Sequence, residues 1–214
     1  MTDFSQLALM RMPLGALGTN CYVVGDKELG KAYIIDPATA DVLESLEKHN
    51  LEPAAILLTH GHADHIGGVQ EIINQYPVPV YIHDGDREYL TNADLNLSSN
   101  YGQNLTVTGD IRFVKEGDTF DLGNIHLSVY ETPGHTPGGV CYYMDGALVF
   151  VGDTLFRGSI GRTDFDGGDY DTLINAIKDK LYTLPEETVA YPGHGPETLI
   201  GYEKQIGRAS CRER

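Results

Sequence analysis

This chain of 214 residues is poor in cysteine and in basic side chains, and it has no tryptophan. Its three cysteines, Cys21, Cys141 and Cys211, are widely spaced, and none forms a Cys-x-x-Cys pair. That excludes a disulfide framework and points to a reducing, cytoplasmic home. Only 15 Lys and Arg stand against 31 Asp and Glu, a formal net charge of −16. A surface of that sign repels nucleic acid and anionic membranes, so neither is an expected partner. An anionic substrate would need a local positive feature, which metal ions could supply. No apolar run approaches the roughly 18 residues that a membrane span needs. The opening segment MTDFSQLALMRMP has no basic stretch followed by an apolar one, so no secretory leader is expected. No Gly-x-Gly-x-x-Gly occurs. The stretch from Arg157 to Gly161 is not Gly-x-Ser-x-Gly either, because Gly158 directly precedes Ser159.

What is present is an ordinary globular composition, 41% hydrophobic with 25 glycines and 10 prolines. The length suffices for one domain with a sizeable core. Short apolar runs predict strands at 7–12, 21–24, 32–35, 54–58, 80–82, 125–130, 140–144, 147–151 and 189–191. Helical periodicity predicts helices at 39–49, 66–76 and 169–184, a short one at 84–91, and the start of another at 198–205. The polar stretch 92–112 reads as a long loop. Beyond Gln205 the segment 206–214 turns basic and loses apolar periodicity. It resembles the conceptual translation of a sequencing adapter joined in frame. On that reading the domain is 1–205, and 206–214 is a non-native, disordered tail.

Four apolar runs lead into potential metal ligands: 54–58 into Thr59 and His60, 127–130 into Pro133-Gly134-His135, 148–151 into Gly152-Asp153, and 189–191 into Pro192-Gly193-His194. Ligands of open α/β folds gather at the carboxyl ends of strands. The densest cluster, His60-Gly-His-Ala-Asp-His65, puts four ligand-type side chains in six residues. His60 and His62, two apart, can point the same way in extended chain. Asp64 and His65 fall at the start of the next helix and can face a second ion. Three side-chain ligands per ion leave room for water, as catalytic zinc sites require. His49 is expected to be solvated, His126 lies in an expected strand with no ligand-like neighbour, and His83 is expected to be structural.

These motifs, with Thr136-Pro-Gly-Gly139 and Gly152-Asp-Thr-Leu-Phe156, resemble the metallo-β-lactamase superfamily, and within it the glyoxalase II-like hydrolases. The resemblance runs from about Asn20 to Lys204. It implies an α/β fold, a four-layer αβ/βα sandwich in a single domain. It implies one ion on His60, His62 and His135, a second on Asp64, His65 and His194, and Asp153 bridging both. The ions would be divalent, zinc in the first place, with iron or manganese also suited to these donors. The implied reaction is hydrolysis of a small-molecule thioester, of hydroxyacylglutathione type, by water ionised at the metals, with Asp64 and Asp153 catalytic. Arg162 stands where such enzymes place a lysine that meets a glutathione carboxylate, and an arginine could clamp it bidentately. An ion pair with Asp164 or Asp166 is the other reading of Arg162. Asp164 replaces a family tyrosine, and no room remains for the family's C-terminal helical domain. A lactonase shares all seven ligands. A persulfide dioxygenase with a single iron is the rival from another reaction class, although its last histidine is not followed by Gly-Pro as His194 is here.

Overall fold

The computed structural model describes residues 6–210, the last three by their backbone alone. Its first half holds β1 (Leu7–Leu14), β2 (Thr19–Asp26), β3 (Lys31–Ile35), α1 (Val42–Lys48), β4 (Glu52–Leu57), α2 (Ala63–Ile66), α3 (Val69–Gln75), β5 (Val80–His83) and β6 (Ile111–Val114). The second holds β7 (Thr119–Leu122), β8 (Ile125–Glu131), β9 (Val140–Met144), β10 (Leu148–Gly152), β11 (Leu155–Phe156), β12 (Ser159–Ile160), α4 (Tyr170–Asp179), β13 (Val189–Pro192), β14 (Thr198–Leu199) and α5 (Ile200–Ser210). Each half builds a six-stranded sheet, ordered β1-β2-β3-β4-β5-β6 and β14-β13-β10-β9-β8-β7; β11 and β12 form a small hairpin.

Successive side chains of a strand point to opposite faces, so a run that is apolar throughout must be covered on both. In β2, β3 and β4 this alternation is visible. Cys21, Val23, Ala32, Ile34 and Ile56 pack with Val42, Leu46, Val69 and Ile72 of the helices. Tyr22, Val24, Tyr33, Ile35 and Leu57 pack instead with Leu127, Val129, Tyr142 and Phe150 of the second sheet. On the far side, Cys141, Tyr143, Val149 and Val151 meet Leu173 and Ile177 of α4 and Ile200 of α5. Three apolar interfaces therefore separate four layers, helix–sheet–sheet–helix, in one domain. No helix of the described residues is long and apolar enough to cross a membrane.

Expectations change at several elements; the helix predicted over 169–184, for one, ends at Asp179 and is followed by a 3-10 turn, Leu181–Thr183. The helix predicted over 66–76 is two, because Gly67 and Gly68 press against the backbone of Ala38 and Thr39, where a Cβ would lie 2.4 and 2.3 Å from main-chain atoms. The predicted loop 92–112 contains a single 3-10 turn, Ser98–Tyr101, and ends in β6, which pairs in parallel with β5. The segment read as a tail begins inside α5, which is helical from Ile200 to Ser210. A helix already nucleated at Ile200 propagates readily through arginine and alanine. Residues 211–214 lie outside the described residues.

Candidate metal centre

All seven sequence-predicted ligands meet at one edge of the sandwich, where the carboxyl ends of β4, β8, β10 and β13 converge. Every strand end brings its residue by a short device. After β4, His60 is buried and His62 stands at the N-cap of α2. That short helix then carries Asp64 and His65 on its first turn. After β10, Gly152 takes φ +48°, a left-handed turn, and a Cβ there would lie 2.3 Å from Thr59 Oγ1. Only glycine delivers Asp153 at that point. Gly193 is equally constrained, since its Cβ would stand 2.2 Å from Asp153 Oδ1.

The ligand-type atoms form three groups, each compact enough for an ion: His60, His62 and His135; Asp64, His65 and His194; and, between them, His60, His65 and Asp153. His62 Nδ1 lies 3.0 Å from His135 Nε2. Asp64 Oδ2 is 3.1 Å from His194 Nε2 and 3.5 Å from His65 Nε2. Asp153 reaches His65 at 3.4 Å, His135 at 3.6 Å and His194 at 3.7 Å, and so touches both outer groups.

The far nitrogen of three histidines is pinned. His60 Nδ1 meets Thr59 Oγ1 at 3.1 Å, His65 Nδ1 meets Asp36 Oδ2 at 2.9 Å, and His135 Nδ1 meets the Arg162 carbonyl at 2.7 Å. Thr59 Oγ1 already donates to Asp36, so it accepts from His60 Nδ1–H. Each Nε2 is left with its lone pair facing inward, the arrangement that orients metal-binding imidazoles. Inside, His60 Nε2, His65 Nε2 and Asp153 Oδ1 are buried without a hydrogen-bond partner. Buried polar atoms are rarely left so, and a coordinated cation accounts for such a set. The donors therefore fit divalent ions.

Titration behaviour agrees. Burial, aided by the neighbouring imidazoles, drives His60 well below the usual histidine range and His62 to about 3. These rings stay neutral, as ligands must. Burial also opposes charge on His65, yet Asp64, Asp153 and Asp36 outweigh it and raise its pKa strongly. Burial works to raise Asp153, but His65, His135 and His194 hold it below the usual carboxylate range. Carboxylates that favour positive charge on His65 this strongly would also favour a dication.

A cavity of about 420 Å³ opens over this edge, walled by Leu17, Leu97, Tyr101, Phe156 and Phe165. Arg162 also lines it, but its guanidinium forms a two-pronged bond with Asp164 at 2.8 and 2.7 Å and lies over the Phe165 ring. Of the two readings of Arg162, the ion pair is the one seen, with Asp164 as the partner. Asp169 caps α4 by accepting from Thr172 N. His49 and His126 are exposed, and His83 caps the following 3-10 turn, Asp84–Leu90.

Sequence reasoning missed Asp36 and Thr19. Asp36, at φ +51° after β3, also accepts from Thr59 N at 2.8 Å and Oγ1 at 2.6 Å. Thr19 Oγ1 donates to Asp64 at 2.8 Å. Asp36 follows an apolar run as the other strand-end residues do, so the same signal could have found it. Thr19 had none.

Residues 14–194 match the family model of the Metallo-beta-lactamase superfamily. The probable metallo-hydrolase YqgX of Bacillus subtilis is 40% identical, over 89% of this chain and 91% of that protein. The hydroxyacylglutathione hydrolase GloC of Haemophilus influenzae is 34% identical, over 91% and 93%. Among solved structures, BLEG-1 B3 metallo-beta-lactamase superposes with a TM-score of 0.86 at 41% identity, covering 92% of this chain and 97% of that one. TTHA1623 in a di-iron-bound form superposes at 0.81 with 37% identity, covering 92% and 98%. With the four layers and the histidine-rich edge already in place, the conclusion is that this chain belongs to the metallo-β-lactamase superfamily.

Proposed function

We propose that the protein is a binuclear metallo-thioesterase acting on a hydroxyacylglutathione-type substrate. The observation that carries this reading is the pair of three-residue groups with Asp153 between them at the floor of an open cavity. His60, His62 and His135 would hold one ion, Asp64, His65 and His194 the other, and Asp153 would belong to both. Two dications there would supply water ionised near neutral pH and an electrophile for the substrate carbonyl. Zinc suits the mixed nitrogen and oxygen donors, as do iron and manganese. The similarity to a di-iron form of TTHA1623 makes iron a real competitor.

The remaining work falls to the chain's own groups. Asp64, fixed by Thr19, orients the attacking water through its carboxylate. The aromatic and aliphatic wall strips water from the acyl group. A thiolate leaves readily, because a thiol has a pKa of roughly 8.5, so no dedicated acid is required. Arg162 meets a remote carboxylate of the thiol carrier by exchanging it for Asp164. Similarity to GloC supports the substrate class. Buried free thiols at Cys21 and Cys141 are consistent with a cytoplasmic setting.

The test is purified protein, loaded in turn with Zn²⁺, Mn²⁺ or Fe²⁺, assayed on a hydroxyacylglutathione, a β-lactam, a lactone and a glutathione persulfide. Metal-dependent thioester cleavage as the fastest reaction is the expected result. Oxygen uptake with the persulfide on a single iron would replace hydrolysis by oxidation. Preferred ring opening would reassign the substrate to a lactam or lactone.

A further inference from the structure

The three histidines of the first group come from different sheets. His60 and His62 follow β4 of the first, and His135 follows β8 of the second. Their facing nitrogens stand 3.0 Å apart, so the two loops must be held in register to within a fraction of an ångström. Strand pairing cannot do this, because no hydrogen-bonded ladder links the sheets. Val140 N to Thr59 O and Tyr142 Oη to Leu58 O join the strand ends nearby, yet neither touches the loops beyond His60.

Asp86 does. It lies in the 3-10 turn after β5, fully buried, and neither ligand loop contains it. Its Oδ2 accepts from Gly61 N, between His60 and His62, at 2.8 Å, and from Thr136 Oγ1, next to His135, at 2.8 Å. Its Oδ1 accepts from Gly138 N at 2.6 Å. A Cβ on Gly138 would sit 2.5 Å from Asp86 N, so the second loop is closed onto the aspartate with no space to spare. Three donors from two loops converge on one carboxylate, which as an ion accepts bonds and donates none. The second group is braced by other contacts: Gly193 N to Gly152 O, Asn20 N to Gly193 O, and Thr19 Oγ1 to Asp64.

We infer that Asp86 is a positioning residue that sets the geometry of the first ion's site alone, by yoking the His60–His62 loop to the His135 loop. The inference rests on the ligand assignment proposed above. Asp86 belongs to none of the three ligand groups and does not line the cavity above them. It acts through the separation of the two loops, as partners of metal ligands do when their loss weakens binding roughly 10- to 100-fold.

The experiment titrates metal-free protein with Zn²⁺ against a chromophoric chelator, resolving two affinities, for wild type and for the Asp86→Asn, Thr136→Val and Thr136→Ser variants. His135→Ala and His194→Ala mark which affinity belongs to which site. Asp86→Asn should weaken the His135-dependent affinity roughly 10- to 100-fold and spare the His194-dependent one. Thr136→Val, which removes one of the three bonds, should do the same to a lesser degree, and Thr136→Ser should restore it. Loss of both affinities in Asp86→Asn would refute site selectivity if Thr136→Val, the milder change, also failed to discriminate. Wild-type affinities in both Asp86→Asn and Thr136→Val would refute the yoke. Failure of wild-type protein to bind two Zn²⁺ would instead refute the ligand assignment.

Discussion

The two sheets are joined by a buried carboxylate at each end of the sandwich, and the two ends use it differently. At the end remote from the metal centre, Asp26 closes β2 and accepts from Asn124 N at 3.0 Å, in the turn between β7 and β8, as well as from Glu28 N and Leu29 N. At the other end Asp86 takes three donors in the same way, but those donors belong to loops that carry histidines. The chemistry of the bridge is one and the same. What it holds decides whether it serves stability or the site.

This contrast can be broken at several points. The largest effect is expected between the two bridges, where Phe150 is buried against Tyr22 and Tyr191 with ring centroids at 5.1 and 5.7 Å. Phe150→Ala should cost about 3–5 kcal/mol in unfolding free energy. Denaturant titration measures it, and a loss under 1 kcal/mol would mean that this interface does not hold the sheets together.

A smaller loss, about 1–3 kcal/mol at neutral pH, is expected for Asp26→Asn, since a charged acceptor is removed from backbone donors. Those donors, Asn124 N foremost, lower the Asp26 pKa in the folded chain. A folded pKa below the unfolded value of roughly 3.9 gives stability that is present above that value and lost as pH falls through the folded one. The difference between wild type and Asp26→Asn should therefore shrink below about pH 4. Metal content should not change. A selective loss of metal in Asp26→Asn would erase the distinction between the two ends.

Arg162→Ala should have the smallest effect on stability, because its pair with Asp164 is solvent-exposed. On a thioester with a remote carboxylate it should raise KM and spare kcat, the mark of uniform binding lost. An unchanged KM would leave Arg162 as a surface ion pair.

Much of the site was legible because its signals are local. Four ligand types in six residues need no knowledge of the fold, and the apolar runs that precede His135, Asp153 and His194 repeat one pattern. The strands of the two inner layers were legible for a related reason: burial on both faces makes them apolar throughout. Asp86 was not found, since a lone carboxylate has no signature until its partners arrive from 25 to 52 residues away; Asp36 was overlooked although it ends an apolar run as the ligands do. The edge strand β6 was missed because an exposed edge need not be apolar; Arg112 and Phe113 face outward there. The division of the helix at Gly67 depends on contact with Ala38, which periodicity does not report.

Asp153 is a carboxylate within reach of both outer groups, so it offers the most direct measurement. Metal per chain, by elemental analysis after dialysis, should be two for the wild type and one or none for Asp153→Ala, with thioester hydrolysis almost abolished. Two tightly held ions and near-normal turnover in Asp153→Ala would contradict the shared ligand and the binuclear reading that depends on it.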